Sequence, residues 1–270
     1  MKSAKVFKKI SAVCLLFIST LSLSGMAGAS QHCAVMTASG NAEYPPYLWR
    51  SPDNPQRLVG AIAYMIDDLS KEIGVKIDLL YKGPWGRVQT LVSKGRVDIT
   101  AGAFYTKPRE DYMDYLYPEF QGTATSVWYN LNTPFEYDMW SDLKSLRGVT
   151  VINNSFGQEF DEYSANELEI KQVASLEQGL RMLSASRVDY LIYEKNPGMA
   201  YAKQIDVPDL DTHEIPITRQ NLYLTVSKAS KCNTPELKAD IEEALVLFNT
   251  QNRMASYLQQ AHKLWAEQQK

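Results

Sequence analysis

The sequence predicts an α/β fold, its mostly parallel strands flanked by helices and arranged in two units of similar design. Two observations predict it. Short apolar runs alternate with segments whose apolar residues recur at helical spacing, the pattern of strands joined by crossover helices. In addition, Leu91-Val-Ser-Lys-Gly-Arg-Val-Asp98-Ile99 nearly recurs as Met182-Leu-Ser-Ala-Ser-Arg-Val-Asp189-Tyr190, each a helix end turning through a small residue into a strand. A small residue suits a helix C-terminus and an aspartate suits a turn, so convergence of such turns is the plainer account of this repeat.

Ala34 to Thr37 reads as the first strand, and Ala61 to Ile73 as an amphipathic helix that Gly74 stops. Val75 to Leu80 is a second strand, Trp85 to Ser93 a helix, and Val97 to Ala101 a third strand. A second unit begins near Thr123, with strands at Ala124 to Tyr129, Val149 to Ile152 and Tyr190 to Tyr193 and helices at Gly157 to Ala165 and Leu176 to Ala185. Leu222 to Val226 is a late strand, and Pro235 to Ala266 reads as a helical C-terminus. Gln259 to Lys270 is its fraying end.

Lys2, Lys5, Lys8 and Lys9 precede an apolar run from Ile10 to Leu23, and Ala27-Gly28-Ala29 follows, the pattern of a cleaved secretory signal over 1–29. The reading is an exported protein of about 240 mature residues. No second apolar stretch reaches the roughly 20 residues that cross a bilayer. Losing those four lysines takes the net charge from −3 to −7, which argues against nucleic acid or anionic lipid as a partner. Cys14 leaves with the signal, and the remaining pair, Cys33 and Cys232, suggests a disulfide in an oxidising compartment. Free thiols are the alternative. A lipid anchor on Cys33 is disfavoured because Ala29-Ser30-Gln31-His32 lacks the Leu-small-small pattern. His32, His213 and His262 have no ligand spacing with these cysteines, and no metal or other cofactor is expected. Neither Gly-x-Ser-x-Gly nor a phosphate loop occurs in the mature chain.

Thr106-Lys107-Pro108-Arg109 puts an arginine just past a strand end. A guanidinium is a planar fork that matches a carboxylate in two parallel bonds, so this position suits holding an acid. Tyr44-Pro45-Pro46-Tyr47, Gly60 before a helix, Trp85, Gly95 to Ile99, Ala101-Gly102, Thr106 to Arg109, Leu146-Arg147-Gly148 and Ser186 to Asp189 fall in order along the chain. Together they resemble the extracellular solute-binding proteins of family 3, the periplasmic receptors of polar amino acid ABC transporters. The resemblance covers nearly all of the mature chain.

The resemblance implies a two-lobed periplasmic binding protein fold of type II. Lobe one would be 30–121 and 223–270 and lobe two 122–222, with hinges near Gln121 to Thr123 and Asn221 to Tyr223. Cys33 and Cys232 would then share lobe one, tying the first strand to the start of the C-terminal helix. By the same resemblance Arg109 clamps a ligand carboxylate, Glu194 accepts from its ammonium, and Tyr44 covers its body. Trp85, Gly102, Ala103, Phe104, Ser155 and Phe156 complete the expected set, the last two offering amides at a helix start that suit an anion. Asn154 stands where relatives have glycine, and Asn tolerates the left-handed backbone. Arg109→Ala is expected to abolish binding and leave the melting temperature of the empty protein near wild type.

Phe104 replaces the usual Ser or Thr, removing one hydroxyl hydrogen bond of roughly 1 kcal/mol and filling the cleft. The implied protein is a monomeric, non-enzymatic receptor for a zwitterionic solute, paired with a membrane permease. Two alternatives follow from the same fold: a sensing subunit for a membrane signalling partner, and an enzyme like the cyclohexadienyl dehydratases, with Glu194 as general acid.

Overall fold

The computed structural model describes residues 33–268, so the segment read as a secretory signal lies outside the described residues. The chain opens with β1 (Val35–Ser39) and a meander of β2 (Glu43–Tyr44), β3 (Leu48–Arg50) and β4 (Leu58–Val59). There follow α1 (Ala61–Glu72), β5 (Lys76–Leu79), α2 (Trp85–Ser93), β6 (Ile99–Phe104), the single turn α3 (Lys107–Glu110) and β7 (Met113–Tyr115). Next come β8 (Gln121–Asn130), β9 (Arg147–Val151), α4 (Gln158–Glu167), β10 (Glu169–Val173), α5 (Leu176–Ser184) and β11 (Tyr190–Glu194). The chain finishes with α6 (Lys195–Gln204), β12 (Leu210–Thr212), β13 (Thr218–Ser227), α7 (Pro235–Thr250) and α8 (Arg253–Gln268).

The main sheet runs β10-β9-β11-β8-β13-β6-β1-β5. At one end β1 pairs in parallel with β5 and β6; at the other β9 pairs in parallel with β10 and β11. These two parallel groups are the cores of two lobes. Between them lie the ten-residue strands β8 and β13, antiparallel to each other, with Gly122 opposite Asn221 and Thr123 opposite Gln220.

Local chemistry explains why the elements start and stop where they do. α1 buries Ala61, Ile62, Met65, Ile66 and Leu69 as one stripe. It begins at Gly60, whose φ of 126° and 2.5 Å approach of an added Cβ to the Tyr47 carbonyl leave room for glycine alone. The sequence repeat has a shared mechanical basis. Asp98 Oδ2 accepts from Thr37 N at 2.8 Å and Asp189 Oδ2 from Arg147 N at 2.7 Å, so each aspartate latches its turn to the neighbouring parallel strand.

Several expectations need correcting. The C-terminal helical stretch is two helices, because Asn252 takes a φ of 50° and turns the chain between α7 and α8. Residues 195–204 form a helix the sequence concealed: Pro197 and Gly198 imitate a loop, although proline is tolerated in a first turn. β10 went unseen because it is an edge strand with only Val173 buried. Cys33 and Cys232 form a disulfide with a Cα–Cα distance of 5.2 Å, joining the approach to β1 with the approach to α7.

Candidate functional site

A cavity of about 40 Å³ lies between the lobes. Tyr44, Trp85, Arg109 and Glu194 line it, together with the Gly102-Ala103-Phe104 end of β6 and Ser155. Asn41 and Asn154, which sequence reasoning missed as site residues, line it as well.

Arg109 reaches this cavity because β6 ends at Phe104 and the next turn is capped, Thr106 Oγ1 accepting from Arg109 N at 3.4 Å. The side chain is buried, and neither Glu110 nor Asp111 pairs with it. Its Nη1 donates to the Phe104 carbonyl at 2.9 Å, its Nε to Gln89 Oε1 at 3.3 Å and its Nη2 to the Asn153 carbonyl at 3.0 Å. The guanidinium carbon also lies 5.5 Å from the centre of the Trp85 ring.

The Asn153 carbonyl is the focus of the site. Besides Arg109, it accepts from Gln89 Nε2 at 2.9 Å and from Trp85 Nε1 at 3.2 Å. Three donors from one lobe thus converge on one peptide oxygen of the other. A carbonyl has two lone pairs, so the donors exceed what it can satisfy. The left-handed backbone is here at Asn153, with φ 60°, and not at Asn154 as the sequence suggested. Gln89 left a faint signal: it is a polar residue on the buried stripe of α2, with Trp85, Val88 and Val92.

Glu194, the last residue of β11, enters from the second lobe and is 4% exposed. Burial pushes its carboxyl up to about 7, while the charge of Arg109 pulls the other way. Its strand partner is Thr125, which in turn faces Thr218. The hydroxyls of Thr125, Thr218, Thr123 and Tyr44 are buried without a hydrogen-bond partner among the described residues. Burial and the charge of Glu194 keep the Tyr44 phenol well above its ordinary range, so it stays neutral and able to donate.

The expected anion cradle at the start of α4 is already filled. Asp161 accepts from Phe156 N at 2.8 Å and from the Ser155 hydroxyl. The Phe156 ring does not face the cavity; it packs in the second lobe's core, 6.1 Å from Phe160. Phe104 acts through its carbonyl, which takes Arg109 and also the Tyr115 hydroxyl at 2.7 Å, while its ring is buried in the main core. Removing Arg109 would still leave each of its acceptors a donor: Tyr115 on the Phe104 carbonyl, Tyr112 on Gln89 Oε1, and Gln89 and Trp85 on the Asn153 carbonyl. The empty Arg109→Ala protein is therefore still expected to melt close to wild type.

Two lobes on a shared mixed sheet, with Arg109 of one and Glu194 of the other lining one cavity at their junction, have the architecture of a cleft-type binding protein. The chain belongs to the bacterial extracellular solute-binding proteins, family 3, whose model matches residues 36–262. No curated protein matches it in sequence. Among solved structures it is similar to a mutant of ArgBP from T. maritima, with a TM-score of 0.71 and 12% identity over 85% of this chain and 96% of that one. It is also similar to AbpA, an amino acid ABC transporter substrate-binding protein from Streptococcus pneumoniae bound to L-arginine: TM-score 0.70, 16% identity, 86% and 96% covered. A histidine kinase sensor domain with similarity to periplasmic binding proteins scores 0.69 at 17% identity, with 87% and 96% covered.

Proposed function

We propose that the protein is an exported receptor that captures a small zwitterionic solute, an amino acid or derivative, between its lobes and delivers it to the permease of an ABC importer. The observation that carries this reading is the surplus of donors at Asn153. Arg109, Gln89 and Trp85 offer more than a peptide carbonyl can use, and a carboxylate is the richer acceptor they suit. In this reading Arg109 holds the ligand carboxylate, Glu194 its ammonium, and Tyr44 covers its body. Ser155 lines the cleft, while its hydroxyl, like the amide of Phe156, stays with Asp161. Lobe one is assigned 30–121 and 223–270, lobe two 122–222, and closure pivots where β8 and β13 pair. The likeness to an L-arginine-bound receptor supports the amino acid class.

A thermal-shift screen of the mature protein against amino acids, organic acids and polyamines tests it, since a ligand at 100 times its Kd adds about 2.7 kcal/mol. Shifts confined to L-amino acids support the zwitterion clamp; no shift with any of them ends it. The likeness to a kinase sensor domain favours a second reading, a sensing subunit for a membrane partner. Uptake of labelled ligand in a deletion strain separates the two: uptake is lost if the protein feeds an importer and persists if it only reports.

A further inference from the structure

Beside the cleft lies a second interlobe cavity of about 230 Å³ that shares the side chains of Asn41 and Trp85 with it. The first lobe gives it Trp49, Tyr81 and, from α8, Trp265; the second gives it Tyr201, from α6. Trp49 and Trp265 meet edge to face at 5.1 Å, forming a stiff corner.

The cavity contains one acid and one cation, and the protein occupies both. Glu43 Oε2 accepts from Leu176 N at 2.6 Å, at the start of α5. The Arg50 guanidinium lies 4.2 Å from the centre of the Tyr81 ring, and its Nε donates to the Pro55 carbonyl at 3.2 Å. Their charges are opposite, so the annex has no net charge with which to select a ligand. The rest of the lining pairs aromatic rings, Tyr201 and Trp265 foremost, with the uncharged polar side chains of Asn41, Ser175 and Gln204.

Volume points the same way. A water needs about 10–15 Å³ of such space, so the cleft at about 40 Å³ fits a head group and little more. Ordinary ligand sites enclose roughly 300–1,000 Å³. The adjoining annex is where the remainder of a ligand has room.

We propose that this annex is a second ligand subsite that takes a flat aromatic tail, carried by a head group seated between Arg109 and Glu194. The proposal rests on the zwitterion reading of the cleft and adds a ligand class to it: amino acids or amine derivatives bearing an aryl group.

Isothermal titration of the mature protein with L-alanine, L-phenylalanine and L-tyrosine tests it. An aryl amino acid should bind at least tenfold more tightly than L-alanine. Tyr201→Ala and Trp265→Ala, one wall from each lobe, should each remove most of that advantage and leave the L-alanine affinity unchanged. Should one variant fail to fold, the other still decides. If L-alanine binds as tightly as L-phenylalanine, or both folded wall variants keep the advantage, the subsite is overturned and the zwitterion receptor stands. If none of the three binds, the aryl subsite is overturned, and the zwitterion reading is decided separately by the wider amino acid screen.

Discussion

At the scale of single residues, the cleft turns on Arg109 and Glu194, both buried and both lining one cavity. Arg109→Ala should abolish amino acid binding and lower the stability of the empty protein by only about 1 kcal/mol, because each acceptor it serves keeps another donor. Binding titrations and chemical denaturation check the two halves separately. Glu194 gives a pH dependence. Its carboxyl titrates near 7 in the fold against an ordinary 4.5, so its contribution to stability is full below about 4.5 and is lost as pH rises through 7. A ligand ammonium needs the ionised form, so affinity should fall close to tenfold for each pH unit below 7. Glu194→Gln should flatten that profile; an unchanged slope would move the titration to Glu43, whose carboxyl is also raised by burial. Gln89 and Asn153 escaped the sequence reading because their roles depend on a three-donor meeting across lobes, which no local spacing encodes.

At the scale of elements, legibility followed burial. α2 was read over its full observed range and α1 to within a residue, because an apolar stripe with a glycine or proline boundary is a strong local signal. β10 has too little buried surface to carry a pattern, and α6 begins with residues that usually break helices. α6 is held instead by tertiary contact. A Cβ on Gly198 would come within 2.2 Å of Trp128 Cζ2. That indole is fully buried, with Nε1 donating to the Tyr193 carbonyl at 3.0 Å. Gly198→Ala should therefore cost about 1–3 kcal/mol in denaturant unfolding, where an exposed helical Gly→Ala would stabilise. Because α6 directly follows Glu194, weakened ligand binding should accompany the loss.

At the scale of the whole molecule, the two-lobed plan was legible through resemblance, and the alternation of elements foretold its parallel ends. The disulfide spans 199 residues of sequence, so reducing it frees most of the chain in the unfolded state. Chain entropy sets that effect at roughly 5 kcal/mol as an upper figure, and a reductant should lower the melting temperature markedly. A Cys33→Ser, Cys232→Ser double variant should melt with the reduced protein; an unchanged melt on reduction would show that the bond contributes nothing. The three-donor meeting at Asn153 has a consequence in time. A molecule that grips its own carbonyl offers a newcomer no standing vacancy, so capture waits on spontaneous release. Observed association rates should climb with solute concentration and then flatten at the rate of that release, and the apparent affinity should be lowered by the fraction of molecules caught closed. Gln89→Leu, which removes one of the three donors, should raise the ceiling.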